Sequence, residues 1–434
     1  MSLLWAKGGG APDSAIQAFC AGEDVLVDRH LFTFDIDATR AHAHGLSRIG
    51  VLTADDVTSL DAALDALRAD FESGAFVLDA RFEDGHSAIE AELVRRAGEV
   101  GRRVHAGRSR NDQVQVALRL YGRARAKELA MATLDCASAC LGRARGDADA
   151  PLVGYTHLQR AVPSTVGLWM AAFAEGFVED AEHLALTARW LDRSPLGTAA
   201  GFGVNLPLDR QGVADELGFA ALQLNPMNVQ SSRGKLELGL LAAVRSSMLD
   251  VRRLAWDLSL FTMEELAFVG LPDAFTTGSS IMPNKRNPDV VELLRASAAR
   301  VLGAEAEIAA CLSLPSGYHR DLQGTKEPFV RAVEHARAAI ALVPRLVAEL
   351  TFDKERMRAA ISPGTYATDR AVELVRDGAP FRDAYRQVAG ELASLGARTP
   401  EDSVRARVSP GACADLRLDE IAVRADRLRA ELST

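Results

Sequence analysis

The stretch Gly278-Ser279-Ser280-Ile281-Met282-Pro283-Asn284-Lys285-Arg286-Asn287-Pro288 gathers side chains that can do chemistry on an anion. Two serines follow a glycine, and a lysine, an arginine and an asparagine stand side by side. Asn287 before Pro288 predicts that the loop ends there and a helix begins, because asparagine is a favoured N-cap and proline suits the first helical turn. Such a loop delivers Ser279, Lys285 and Asn287 to a helix N-terminus, where free backbone N–H groups and the helix dipole favour a bound carboxylate. A flexible connector could also carry Gly-Ser-Ser and proline. It has no need of Lys, Arg and Asn packed ahead of a helix start.

Other chemistries find less support. The nine histidines form no His-Glu-x-x-His motif, so a zinc hydrolase is not indicated. The five cysteines are odd in number and include no Cys-x-x-Cys pair, which argues against a disulfide framework or a zinc knuckle. Cys136 and Cys140, four apart on an expected helix, read as small core hydrophobes. The sequence calls for no metal and no bound cofactor.

The elements that must position the loop are long helices. Between Asp112 and Ala150 there is no proline. Pro163 to Pro195 brackets a second run, with Val166, Met170, Phe173, Phe177, Leu184 and Leu191 on one stripe. A third, Leu236 to Phe268, repeats Leu240, Leu241, Val244, Met248, Val251, Leu254, Leu258 and Phe261 at intervals of mainly three and four. Runs after Val290 and after Pro328 complete a five-helix set. Thirty helical residues span about 45 Å, so these runs predict an extended bundle, often one shared between subunits. Ahead of them, Val57, Leu60, Leu64, Leu67 and Phe71 keep helical spacing, and Thr53-Ala54-Asp55-Asp56 can cap that helix. From about Phe352, Gly364, Pro380, Gly390 and Pro400 cut the chain into shorter helices. The expected fold is all-α in three domains: residues 1–108, a central long-helix bundle over 109–351, and a small helical domain over 352–434.

A net charge of -9 argues against a general nucleic-acid or membrane-surface binder, although a locally basic pocket can still hold an anionic metabolite. No apolar run reaches the length of a membrane span, and the opening residues Met1 to Gly8 lack a signal-peptide core. The cytoplasm is the expected compartment.

The loop matches Gly-Ser-Ser-x-Met-Pro-x-Lys-x-Asn, a signature of the fumarase/aspartase superfamily, whose members eliminate an amine, amidine or hydroxyl from a succinyl unit and leave fumarate. Further segments resemble the argininosuccinate lyase family, to which the δ-crystallins belong: Gly107-Arg108-Ser109-Arg110-Asn111-Asp112-Gln113, Gly154-Tyr155-Thr156-His157-Leu158-Gln159, and Tyr318 through Pro328. Glu83-Asp84-Gly85-His86, Ser194-Pro195-Leu196-Gly197, Tyr366-Ala367-Thr368-Asp369 and Pro380-Phe381-Arg382 add to the likeness, which covers essentially the whole chain.

The resemblance implies that a proton leaves a carbon beside a carboxylate and a guanidinium nitrogen is then expelled. That calls for a base, for cations and donors around the carboxylate, and for an acid at the departing nitrogen. Ser279 resembles the family's catalytic serine. A hydroxyl becomes a usable base only when loop closure excludes water and Lys285 with helix N–H groups stabilises the alkoxide. His157 resembles the catalytic histidine, and Glu292 the acidic residue that orients it. The carbon proton has been assigned to either Ser279 or His157 in the family; the reading favoured here makes Ser279 the base and His157 the proton donor or relay. Arg110, Asn111, Thr156, Lys285 and Asn287 resemble residues that grip the succinyl carboxylates. Tyr318, Gln323 and Lys326 resemble those on the arginine half, with Lys326 suited to its α-carboxylate, and His86 supports the site. Arg102 and Arg103 read as a solvated basic face. The partner implied is a small molecule, with no nucleic acid and no membrane, in a homotetramer whose active sites are shared between subunits.

The chain departs from the family at Gly22, where a serine usually contacts substrate, and at Ser232 and Gly234, where two acids flanking Arg233 are lost. Alternatives are another fumarate-releasing lyase such as adenylosuccinate lyase, a non-catalytic crystallin-like structural protein, and a binding protein without turnover.

Overall fold

A computed structural model describes residues 14–392, 395 and 398–433. The opening stretch read above for a signal peptide lies outside them. Six helices come first: α1 (Ser14–Ala21), α2 (Asp24–Val27), α3 (Phe32–Arg48), α4 (Ala54–Glu72), α5 (Gly85–Ala97) and α6 (Glu99–Arg103). The expected cap of α4 is present, as Thr53 and Asp56 exchange side-chain and backbone hydrogen bonds. The predicted stripe faces inward: Leu60, Leu64 and Leu67 pack with Phe32, Ile36, Leu46, Ile89 and Leu93 in one core.

The long runs follow. α7 (Arg110–Gly146) extends to 37 residues, about 55 Å at 1.5 Å per residue. A hairpin of β1 (Pro151–Thr156) and β2 (Gln159–Thr165) leads into α8 (Val166–Leu191). β3 (Arg193–Ser194) pairs in parallel with β4 (Ala221–Leu222), with α9 (Arg210–Glu216) between them and α10 (Pro226–Ser231) after them. α11 (Lys235–Phe261) is the third long helix, and β5 (Val269–Gly270) follows it. β6 (Thr277–Gly278) pairs with β7 (Arg286–Asn287), and α12 (Asp289–Cys311) and α13 (Lys326–Ile340) complete the five. The chain ends in α14 (Val343–Ala348), β8 (Thr351–Phe352, paired with β5), α15 (Lys354–Ala359), α16 (Ala367–Arg376), α17 (Phe381–Gly390), α18 (Pro400–Arg405) and α19 (Leu418–Ser433). The breakers foreseen in the tail mark helix limits: Gly364 lies ahead of α16, Pro380 caps α17, Gly390 ends it and Pro400 opens α18.

The apolar stripes named from sequence on α8 and α11 are buried, apart from Phe261, which is half-buried. Cys136 and Cys140 are buried as well, and the Cys136 thiol donates to the Ile340 carbonyl. Burial pushes the Cys140 thiol up to about 12, which keeps it an unreactive hydrophobe. No helix among the described residues is long and apolar enough to cross a membrane.

Contacts divide the chain into two compact units. Of the described residues, those within 1–125, 187–240 and 304–332 form the first, and those within 126–186, 241–303 and 333–434 the second. All five long helices run through the division in sequence.

Replacing Leu64 with Ala removes a fully buried side chain from the core of the first unit. Leu64→Ala should lower stability by about 2–5 kcal/mol in chemical denaturation; a change under about 0.5 kcal/mol would contradict the packing described.

Candidate active site

Within the first unit the chemistry-bearing residues stand on paired buried charges. The Lys326 ammonium, 1% exposed, lies 2.7 Å from Asp28 Oδ1 and 3.2 Å from Asp24 Oδ2. Burial pushes this lysine down, and the two carboxylates more than offset it, so the ammonium is held above its ordinary value. Asp28 Oδ2 also accepts from the Gly85 backbone N–H at 2.8 Å. That bond fixes the start of α5.

The next residues of α5 carry the other pairs. Asp84 is its N-cap, bonded reciprocally with Ser87, and accepts a 2.7 Å hydrogen bond from Arg110 Nη1. Burial pushes Asp84 up, but His86 and Arg110 hold it well below the usual carboxylate range. His86 Nδ1 lies 2.6 Å from Asp35 Oδ2, while Gln113 donates to the same carboxylate at 2.9 Å. Burial alone would strip the proton from His86; the Asp35 carboxylate reverses that and raises it. His86 Nε2 is buried without a hydrogen-bond partner.

Arg110 and Asn111 open α7, and Asp112 sets where they sit. Asp112 Oδ1 accepts from Ser109 N, and its Oδ2 accepts from Gly197 N at 3.1 Å and Ala199 N at 2.7 Å. Two sequence segments singled out separately, around Arg110 and around Gly197, are thus joined by one carboxylate. Burial pushes it up to about 6 although three N–H donors favour the ionised form. Gln323 donates to the Cys20 carbonyl at 2.8 Å, and Tyr318 lies beside Arg233, whose guanidinium sits 5.7 Å from the ring centroid. Arg108 is buried and donates to Thr39, whereas Arg102 and Arg103 lie at the surface and pair with Glu99 and Asp56.

The second unit holds the remaining residues on two exposed turns. His157 and Leu158 form the two-residue tip joining β1 to β2, with φ of 54° and 59°. Two successive positive φ values are what a tight type I′ turn requires, and for residues other than glycine they mark local strain of the kind found at functional sites. Thr156, at the last pair of the ladder, and His157 both face solvent.

The loop between β6 and β7 carries Ser279 through Lys285. Ser279 Oγ accepts backbone N–H bonds from Met282 at 3.1 Å and Ile281 at 3.4 Å. Lys285 is exposed and Asn287 half-buried. The helix after the loop begins one residue later than the sequence implies. Asn287 is committed to the ladder with Thr277, and the Pro288 carbonyl takes the first helical bond, from Glu292 N at 3.0 Å. Glu292 lies on the first turn of α12 and pairs with Arg295 at 3.5 Å. Among the described residues, no hydrogen bond or ion pair joins Thr156, His157, Ser279, Lys285 and Glu292 to one another.

Sequence reasoning had not assigned Asp24, Asp28, Asp35, Asp84 or Asp112. Asp84 and Asp112 lay inside recognised segments without being singled out; Asp24, Asp28 and Asp35 gave no local signal.

A family model described as Lyase matches residues 18–303. The argininosuccinate lyase of Xanthomonas euvesicatoria pv. vesicatoria (strain 85-10) is 54% identical over 430 residues, covering 99% of this chain and 100% of that protein. The argininosuccinate lyase of Stenotrophomonas maltophilia (strain R551-3) is 53% identical over 423 residues, covering 97% and 98%. Among solved structures, EDDS lyase in complex with formate shares the fold with a TM-score of 0.79 at 24% identity, over 98% of this chain and 92% of that one. The 3-carboxy-cis,cis-muconate lactonizing enzyme from Pseudomonas putida does so with a TM-score of 0.70 at 19% identity, over 97% and 99%. Fold and family model together define a lyase of the fumarase/aspartase superfamily. Within that class, the chain belongs to the argininosuccinate lyase family.

The His86–Asp35 pair fixes a pH dependence. Because His86 is raised from 6.5 in the fold, its contribution to stability is complete below that value and fades as pH climbs through the raised one. Asp35 is lowered, so its share is lost only in acid. His86→Gln should therefore cost most stability at about pH 5 to 6.5 and progressively less toward alkaline pH, read by thermal unfolding. A cost that grew with pH would contradict a charged His86.

Proposed function

We propose that the protein is a carbon–nitrogen lyase that eliminates arginine from argininosuccinate and releases fumarate, as the activity of arginine biosynthesis. Identity above half over nearly the whole length of curated argininosuccinate lyases carries this reading, and the site residues present are those its chemistry needs.

In the mechanism we infer, Ser279 takes the proton from the carbon beside the succinyl carboxylate. Its Oγ already receives two backbone N–H bonds, which lower the cost of an alkoxide there. Lys285 adds a positive charge to the same loop, and α12 adds the positive end of its dipole. The electron pair left on carbon spreads into the carboxylate, so the dianion needs donors on that side. Arg110, Asn111, Thr156, Lys285 and Asn287 are assigned to that task. The carbon–nitrogen bond then breaks, and His157, oriented by Glu292, returns a proton to the departing guanidine nitrogen. Tyr318, Gln323 and Lys326 hold the arginine half, and His86 keeps the site's charges in register.

The assignment assembles each site from several chains of a homotetramer. What supports it is that Thr156 and His157, Ser279 to Asn287, and Glu292 lie on exposed turns or a helix end without bonds to one another in one chain. In addition, Leu186, Leu249, Trp256, Leu293 and Leu302 stay exposed on α8, α11 and α12, apolar surface that neighbouring chains would cover. A cytoplasmic location, with no membrane or nucleic-acid partner, belongs to the same proposal.

Purified protein given argininosuccinate should produce fumarate, read by its ultraviolet absorbance; fumarate from adenylosuccinate alone would defeat the substrate assignment. Ser279→Ala and His157→Asn should each lower kcat by about two to four orders of magnitude with the oligomer intact, and a near-normal rate in either would refute its role. Mixing the two inactive variants through dissociation and reassembly should restore part of the activity if the residues meet across chains. No recovery would place both in the same chain.

A further inference from the structure

We propose that Asp24 is a specificity-determining residue that receives the α-ammonium group of the substrate's amino-acid half, beside Lys326, which receives its α-carboxylate. This rests on the argininosuccinate reading given above.

Three observations within the first unit carry it. The buried Lys326 ammonium is shared between two carboxylates, Asp28 at 2.7 Å and Asp24 at 3.2 Å, with the Arg233 guanidinium a second cation acting on Asp24. The acceptors are unequally used: Asp28 gives one oxygen to Lys326 and the other to Gly85 N, while Asp24 gives Oδ2 to Lys326 and, among the described residues, nothing bonds to its Oδ1. Asp24 is also the less buried of the two, with 17% of its side chain exposed against 2% for Asp28. On the other side, the Lys326 ammonium has three N–H donors and directs two of them at Asp28 and Asp24. One spare acceptor and one spare donor on touching groups of opposite charge match an amino acid's ammonium and carboxylate, which are held on one carbon.

Local backbone brings Asp24 there. Gly22 has φ +54°, a left-handed turn that glycine adopts freely, and it reverses the chain between α1 and α2 so that Asp24 opens α2 next to Lys326. The departure noted at Gly22 is thus accompanied by a carboxylate two residues on.

The reverse reaction separates the parts, since fumarate can be added either to arginine or to 5-guanidinopentanoate, which is arginine without its α-amino group. Loss of fumarate absorbance measures both. Asp24→Asn should raise the KM for arginine about 10- to 100-fold, the loss of one charge-assisted hydrogen bond, while the KM for the des-amino compound moves by less than about twofold. Asp24→Glu should recover part of the preference for arginine. Equal losses for both compounds, or an unchanged KM for arginine, would overturn the proposal. Tighter binding of both would also overturn it, by making Asp24 a mere mask over Lys326. Circular dichroism and thermal unfolding check the fold of each variant, and if Asp24→Asn fails to fold, Asp24→Ser is read against the same two compounds. A wild-type enzyme that consumes no fumarate with arginine refutes the activity itself, a different result from a wild type that works but shows no preference.

Discussion

A charged side chain that leaves water must meet its opposite. The first unit meets that constraint twice at full burial and a third time in a half-buried pair. Lys326 is held by Asp28 and Asp24, His86 by Asp35, and Arg110 by Asp84. Breaking a buried pair by removing one partner costs about 3–5 kcal/mol, because the survivor is left charged without water. Each pair therefore locks the backbone that carries it: the start of α5, the start of α7 and the turn into α13. The groups proposed to hold substrate are pre-oriented there, so little binding energy would be lost in ordering them.

The second unit is built the other way. Its candidate acid sits exposed at a strained hairpin tip, and its candidate base, half-buried, opens a seven-residue loop that is otherwise exposed, with few side-chain bonds to hold them. A serine that must act as a base gains from such a position, since it can be solvated before substrate binds and desolvated after. The two backbone N–H groups on Ser279 Oγ supply part of the stabilisation in advance. Under the proposed assignment, the charged groups of the first unit hold substrate and those of the second transfer protons, a division of labour that fits an elimination through a carbanion.

Much of this was legible in the sequence wherever the signal was local. The long helices showed in apolar stripes such as Leu240 to Leu258, and the cap at Thr53 in four consecutive residues. The Ser279 loop and the segments around Arg110, His157 and Tyr318 were legible because their residues are contiguous. The supporting carboxylates were not. Asp28 and Lys326 are 298 positions apart, and Asp35 and His86 are 51 apart. No spacing rule connects residues that only folding brings together. The hairpin at Pro151–Thr165 was missed for a different reason, since His157-Leu158 lacks the Asn-Gly or Gly-rich signature of a type I′ turn. The one-residue shift at α12 arose because strand pairing claimed Asn287 before it could serve as a cap.

The account stands or falls on the loop between β6 and β7 reaching the substrate carbon. A crystal structure of the Ser279→Ala variant soaked with argininosuccinate would measure this directly. The account predicts residue 279 within about 4 Å of the carbon that loses its proton, roughly the separation of groups poised to react, with Lys285 facing the same carboxylate. A bound ligand with that loop remote from it and open to solvent would contradict the account.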